Sequence, residues 1–214
     1  MRGGAPIVVK VGGSLAFSKH LRPWVEALAG CAGRVVIVPG GGPFADAVRL
    51  AQTRMGFHDQ TAHHLAVLAM EQYGRALASL ASILSPADSA DAIRDGLTAG
   101  RVPVWMPSLM VLRAGDITQS WSVTSDSLAA WLAGRIGANQ LLLIKHAKNL
   151  SSRADGKDLI AAGMLDEAFA IYLKRSAAAA YVVGPSDHAI ACAAIRAGAT
   201  AGIPVEWCAE SQQG

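Results

Sequence analysis

An α/β protein is what this sequence predicts, and two observations carry the prediction. Short β-branched runs alternate with stretches of helical periodicity, and the first two runs each end in glycines just before a helical pattern. The hydrophobic fraction is 52% but the aromatic fraction only 6%, so alanine and glycine supply much of the apolar count, as expected where helices pack closely on a sheet. A chain of 214 residues can bury a sizeable core, and no linker or low-complexity stretch divides it, so a single domain over 1–214 is expected.

Taken in order, Ile7–Val11 reads as a buried strand that carries Lys10 and delivers Gly12, Gly13 and Ser14. Glycines let backbone N–H groups approach an anion, and a helix starting soon afterwards would point its positive end the same way. A plain turn with a solvated Lys10 is the competing reading. Leu21–Ala29, with Pro23 early and Trp24, Val25 and Leu28 apolar, predicts a helix. Arg34–Val38 predicts a second strand, which ends in Pro39, Gly40, Gly41, Gly42 and Pro43. Beyond it, Phe44, Ala47, Val48, Ala51 and Met55 recur at helical spacing. Open α/β sheets bind ligands at the carboxyl ends of strands, so two glycine loops there can face two anionic groups. Neither loop ends in Gly-Lys-Ser/Thr or shows the dinucleotide fingerprint with its acidic partner, which argues against a P-loop enzyme and a dehydrogenase.

Asp59–Ala81 predicts a helix whose start holds His63 and His64. Adjacent histidines do not share a helix face, so no metal pair is expected, and each is either a ligand contact or a core histidine. Ser85-Pro86 reads as a turn and Ser89–Gly100 as a short helix. Val102–Trp105 and Met110–Leu112 read as strands, placed by the local prolines at an edge or in irregular positions. Ser120–Ser127 is rich in hydroxyls and precedes the apolar Leu128–Ala133. One such residue suffices for a helix cap; several favour a site in which Asp126 holds lysines in position near phosphates.

Gln140–Ile144 predicts a central strand, with Lys145, His146 and Lys148 following at its carboxyl end. Ser151–Lys157 reads as a polar loop. Leu165–Leu173 and Asp187–Ala197 have helical spacing, Ala180–Val183 reads as a strand, and Ile203–Trp207 as the strand that closes the sheet. The five tryptophans are assigned to core or interface.

Composition narrows the function classes. The net charge is only +3 and no Lys/Arg cluster tracks a helix, so a nucleic-acid partner is not expected. Cys31, Cys192 and Cys208 are odd in number and lack metal spacing, which suits packing thiols in a reducing cytoplasm. No signal-like region or membrane-length apolar run is present, so a membrane partner is not expected.

With these residues assembled, the chain resembles the amino acid kinase family over nearly its full length. The resemblance rests on Lys10-Val11-Gly12-Gly13-Ser14, Pro39-Gly40-Gly41-Gly42 and Thr124-Ser125-Asp126-Ser127-Leu128-Ala129, in that order. Ser120-Trp121, the Ala62–Gly74 helix, and Asp166-Glu167-Ala168-Phe169 before Tyr181-Val182-Val183 look most like the branch that phosphorylates aminomethylfuranyl-methyl phosphate in methanofuran-type cofactor synthesis. The resemblance implies a three-layer α/β/α sandwich with a mainly parallel sheet, the acceptor over the N-terminal half and ATP with Mg²⁺ over the C-terminal half. It implies that Lys10 contacts the transferring phosphoryl group, that Gly12, Gly13 and Ser14 bind phosphate, and that Asp126 orients the catalytic lysines. Thr124 and Ser125 fall on the nucleotide side, while Gly40, Gly41 and Gly42 fall at the acceptor end together with His63. A homo-oligomer, dimer or larger, is also implied.

Two departures qualify the resemblance. Lys145-His146-Ala147-Lys148-Asn149 stands where many members have Thr-Asp-Val-Asp-Gly, and Glu167 stands where many carry a second phosphate lysine. Lys145 or Lys148 is therefore expected to supply the second positive charge. Alternative acceptors within the same chemistry are UMP, isopentenyl phosphate and carboxylates. A nucleotide-binding storage or regulatory protein without turnover is the alternative outside it.

Overall fold

A computed structural model describes residues 4–145 and 154–207, so His146, Lys148 and Cys208 lie outside the described residues. Strands β1 (Ile7–Val11), β2 (Val35–Pro39), β3 (Leu84–Ala87), β4 (Val102–Trp105), β5 (Gln140–Ile144), β6 (Ala154–Asp155), β7 (Ala179–Val183) and β8 (Ile203–Glu206) form one sheet in the order β3-β4-β2-β1-β5-β7-β8-β6. All neighbours are parallel except β7 and β8. The helices are α1 (Leu21–Ala29), α2 (Gly42–Met55), α3 (Asp59–Ala78), α4 (Ala90–Thr98), α5 (Ser108–Val111), α6 (Ser125–Ile136), α7 (Gly156–Ala161), α8 (Phe169–Ser176) and α9 (His188–Arg196).

Strand periodicity decides what each face of the sheet carries. Val8, Val36, Val38, Leu141 and Leu143 point to one face, where Ile93 of α4, Leu128–Ala133 of α6 and Phe169, Tyr172 and Leu173 of α8 cover them. Val9, Val11, Val35, Ile37, Leu142 and Ile144 point to the other, under α1, α9 and the second half of α3. The sheet is thus enclosed between two helical layers, the expected α/β/α sandwich. Helix α6 is buried along Ser125–Ala133, and its run of Ala129, Ala130 and Ala133 lets it lie close to both the sheet and α8.

Several expectations are corrected. Ser85-Pro86 is not a turn but part of β3, which lies at the edge of the sheet, where a proline's missing N–H costs no ladder bond. Pro103 lies in β4, one strand further in, and there β4 meets β2 through the single pair Ile37 and Val104. Met110–Leu112 is not a strand: Ser108–Val111 forms the one-turn helix α5. Of the Ser151–Lys157 loop, residues 154–157 are β6 and the start of α7. Strand β8 does not close the sheet, because β6 pairs outside it. Helix α8 begins only at Phe169, leaving Leu165–Ala168 as a connecting turn. No helix among the described residues is long and apolar enough to cross a membrane.

Candidate active site

The same period-2 rule places two lysines together. Lys10 shares the side of Val8 on β1, and Lys145, just past β5, continues the alternation of Leu141 and Leu143. The strands are adjacent and parallel, so both side chains emerge at the carboxyl edge under the first turn of α6. That turn supplies Asp126. Lys10 Nζ lies 2.9 Å from Asp126 Oδ1 and Lys145 Nζ 2.6 Å from Oδ2. The Lys145 ammonium also donates to the Met164 carbonyl.

Electrostatics follow from burial. Asp126 is only 4% exposed, and burial alone would raise its pKa, but the two facing lysines outweigh that and hold the carboxyl below its usual range. Lys145 is held down to about 8, first by burial and then by the charge of Lys10, against the pull of Asp126. The cluster therefore carries one net positive charge when both lysines are protonated, with each ammonium anchored on one side.

Beside this cluster lies a cavity of about 440 Å³ lined by Lys10, Gly13, Ser14, Gly41, Gly42, His63, Thr124 and Ser125 among others. Its remaining walls include Val67, Met70, Val123 and Leu128 on the apolar side and Asp46, Arg49 and Trp121 on the polar side. Gly12, Gly40, Asp126 and Lys145 are not among its lining residues. The glycine loops meet backbone to backbone. A Cβ on Gly13 would come within 2.6 Å of Gly42 Cα, and one on Gly40 within 2.5 Å of Gly13 N. Gly42 itself has φ +56, a left-handed conformation that glycine adopts without strain, and a Cβ there would lie 3.4 Å from the Tyr73 ring. The glycines thus serve loop-to-loop contact as well as the cavity wall. Only a short 3₁₀ turn, Gly13–Leu15, follows the first loop, so no long helix points its dipole there; α2 begins at the second loop, at Gly42.

His63 is buried, and its Nε2 has no hydrogen-bond partner among the described residues. Burial lowers its pKa, which favours the neutral imidazole, and the residue lines the cavity. His64 points its own ring edge-on at 6.4 Å. Among the described residues no group of three or more His, Cys, Asp or Glu side chains could hold a metal ion.

The geometry gives three residues positions that the sequence reading does not assign them. Asp166, 39 residues beyond Ser127, caps α6 from outside: its Oδ2 accepts from Thr124 N at 2.9 Å, Thr124 Oγ1 at 2.8 Å and Ser127 N at 3.0 Å, and its Oδ1 accepts from Ser127 Oγ. Thr124, which the resemblance assigns to the nucleotide side, thus gives its amide and hydroxyl to Asp166 while also lining the cavity. Trp121 lines the cavity and is not part of the buried core, while Trp24 and Trp105 are fully buried as expected. Arg49 joins the cavity from α2. The expected packing role holds for Cys31 and Cys192, which are buried free thiols, Cys31 Sγ lying 3.7 Å from the Cys192 carbonyl.

Known proteins resemble this chain in sequence and in fold. The profile of the amino acid kinase family matches residues 5–168. The chain is 27% identical over 189 residues to the [5-(aminomethyl)furan-3-yl]methyl phosphate kinase of Methanocaldococcus jannaschii, covering 82% of this chain and 86% of that protein. In three dimensions it is similar to the uridylate kinase of Archaeoglobus fulgidus, with TM-score 0.67, 18% identity and coverage of 94% and 100% of the two chains. It is also similar to the UMP kinase of Bacillus anthracis, with TM-score 0.70, 15% identity and coverage of 97% and 98%. At these identities the two structures speak to the fold alone. The family profile spans most of the chain, and the protein is accordingly a phosphotransferase belonging to the amino acid kinase family.

Proposed function

We propose that the protein transfers the γ-phosphoryl group of ATP to a phosphate monoester, preferentially aminomethylfuranyl-methyl phosphate, giving the diphosphate and ADP. The observation that carries the reading is the Lys10–Asp126–Lys145 cluster beside a cavity walled by two glycine loops. Phosphoryl transfer asks mainly for alignment and charge stabilisation. An acceptor phosphate oxygen attacks the γ-phosphorus as the bond to the β-bridging oxygen breaks, and ADP leaves with that electron pair. The nucleophile is already anionic, so no general base is required. This suits a site in which Asp126 has both oxygens committed to lysines.

Lys10 and Lys145 would meet the equatorial oxygens of the transferring group, with Lys145 standing in for the cation that Glu167 does not provide. Gly12, Gly13, Ser14 and Ser125 would contribute polar groups to the phosphates, while Gly40, Gly41, Gly42 and the neutral His63 would hold the acceptor. With no acidic cluster among the described residues to cage it, Mg²⁺ fits best as an ion bound by the nucleotide's own phosphate oxygens. When bound it neutralises charge on those oxygens. Cytoplasmic location and assembly into a homo-oligomer accompany the proposal.

The test is mass spectrometry of products formed with Mg-ATP and, in parallel, aminomethylfuranyl-methyl phosphate, UMP, isopentenyl phosphate and acetylglutamate, with Lys10→Ala as the blank. A Lys10-dependent diphosphate from the furan alone is expected. Product from UMP instead would replace the acceptor and retain the chemistry. Nucleotide binding without product from any acceptor would favour the non-catalytic reading.

A further inference from the structure

We propose that Arg49 is an acceptor-binding residue that grips the phosphate monoester, with Trp121 as the platform that presents its guanidinium to the cavity; the inference rests on the reading of the acceptor as a phosphate monoester. A monoester near pH 7 brings close to two negative charges, and these need compensation inside a cavity partly walled by Val67, Met70 and Leu128. Among the described residues, Lys10 and Arg49 are the only lysine or arginine in that lining. Lys10 is already paired with buried Asp126, and His63 is neutral. The full charge not tied to a buried partner is therefore that of Arg49, whose own ion pair, with Asp46, lies at the surface.

The present partners of Arg49 are easily exchanged. Its ion pair with Asp46, three residues earlier on α2, joins side chains that are 53% and 75% exposed, a setting in which such pairs contribute little. Its other contact fixes position without using its hydrogen bonds. The guanidinium carbon lies 4.6 Å from the centre of the Trp121 ring, and a stacked guanidinium keeps its in-plane N–H fork free for a two-point contact with phosphate.

The platform is itself held in place. Trp121 Nε1 donates to Gln52 Oε1 at 2.7 Å, and Gln52 Nε2 donates to Asp59 Oδ1 at 2.8 Å. One indole is thereby tied to α2 and to the start of α3, the two helices that bring Arg49 and His63 to the cavity. Such a tether on a solvent-facing arginine has no evident role in packing the core. It does have one in presenting a charge.

Calorimetric titration of the wild-type chain, Arg49→Ala and Arg49→Lys tests this against two ligands, aminomethylfuranyl-methyl phosphate and the alcohol left when its phosphate is removed. Arg49→Ala is expected to weaken the phosphate ligand by about tenfold to a hundredfold, the scale of a charge-assisted hydrogen-bonded pair, while leaving the alcohol within about twofold. Arg49→Lys, which keeps the charge and loses the fork, should fall between and carries the comparison if the alanine variant melts early. Equal losses for both ligands would mean that Arg49 only supports the wall, and no loss would mean that it is a solvated side chain; either overturns the inference and leaves the proposed reaction standing. A wild-type chain that does not prefer the phosphate to the alcohol would overturn the phosphate-monoester reading itself.

Discussion

The two sides of the site are built by different means. On the side proposed for the acceptor most contributions are local: β1 and β2 each run straight into a glycine loop, α2 and α3 follow to complete the cavity, and Trp121 is the distant addition. Under α6 the contributions come from afar. Lys145 reaches Asp126 across 19 residues of sequence, and Asp166 returns from beyond α7 to cap the helix that carries Asp126. The first side is shaped chiefly by backbone that cannot tolerate a Cβ, the second by side chains that hold one another. Shape and charge are thus separable in this molecule, and substitutions on each side should fail in different ways.

The largest expected effect is on the charged side. Asp126→Asn keeps the shape but leaves two largely buried ammonium groups facing an amide in place of a carboxylate. We expect kcat to fall by about a hundredfold to a thousandfold, as when a preorganised transition-state contact is lost. Breaking a buried pair should also cost stability, about 3 kcal/mol by denaturant unfolding. Lost stability with kcat retained would make the cluster a structural one and end the contrast between the two sides.

The contrast also explains what the sequence disclosed. Strand alternation and glycine punctuation identified β1, β2, β5 and the loops after the first two, because those features depend on neighbours in the chain. Asp126 stood out through an excess of hydroxyls around it. Asp166 did not, because a cap donated from another segment leaves no mark at the helix it serves; Thr124 looks like the cap itself and makes no side-chain bond to its own helix. Met110–Leu112 misled for a related reason: an apolar triplet after a proline fits a strand, and burial of Val111 against Trp105 and its neighbours decides for a helical turn. Trp121 carried part of the family resemblance, but its place beside Gln52 and Arg49 depends on α2 and was not legible.

A second effect separates the two lysines. Lys145, with its pKa held near 8, is charged below that pH and loses its proton above it. Substrate phosphates are already fully ionised there, with second pKa values of about 6, so they do not produce the change. The profile of kcat/KM, which reports the free enzyme, should bend downward above about pH 8, approaching a tenfold fall per unit. Bound phosphate charge favours the ammonium, so the same bend in kcat should lie at higher pH. Lys145→Arg, whose guanidinium stays protonated, should remove the bend even if it lowers the plateau. A wild-type profile flat to pH 10 would mean that Lys145 carries no essential charge, and the second cation would have to be sought elsewhere.

The smallest effects compare a distant cap with a local one. Helix α4 has the ordinary kind, with Ser89 Oγ accepting from Ala92 N at 3.2 Å, and Ser89→Ala should cost about 1 kcal/mol. Asp166→Ala removes the acceptor for two amides and two hydroxyls of α6, so about 2 kcal/mol is expected. The difference in stability is modest, but the two losses should differ in kind. No residue of α4 lines the cavity, so Ser89→Ala should leave kcat unchanged, whereas loosening the first turn of α6 should lower kcat in Asp166→Ala as well. If both variants lose stability and neither loses rate, the first turn of α6 holds its place through burial alone, and Asp166 is a cap like any other.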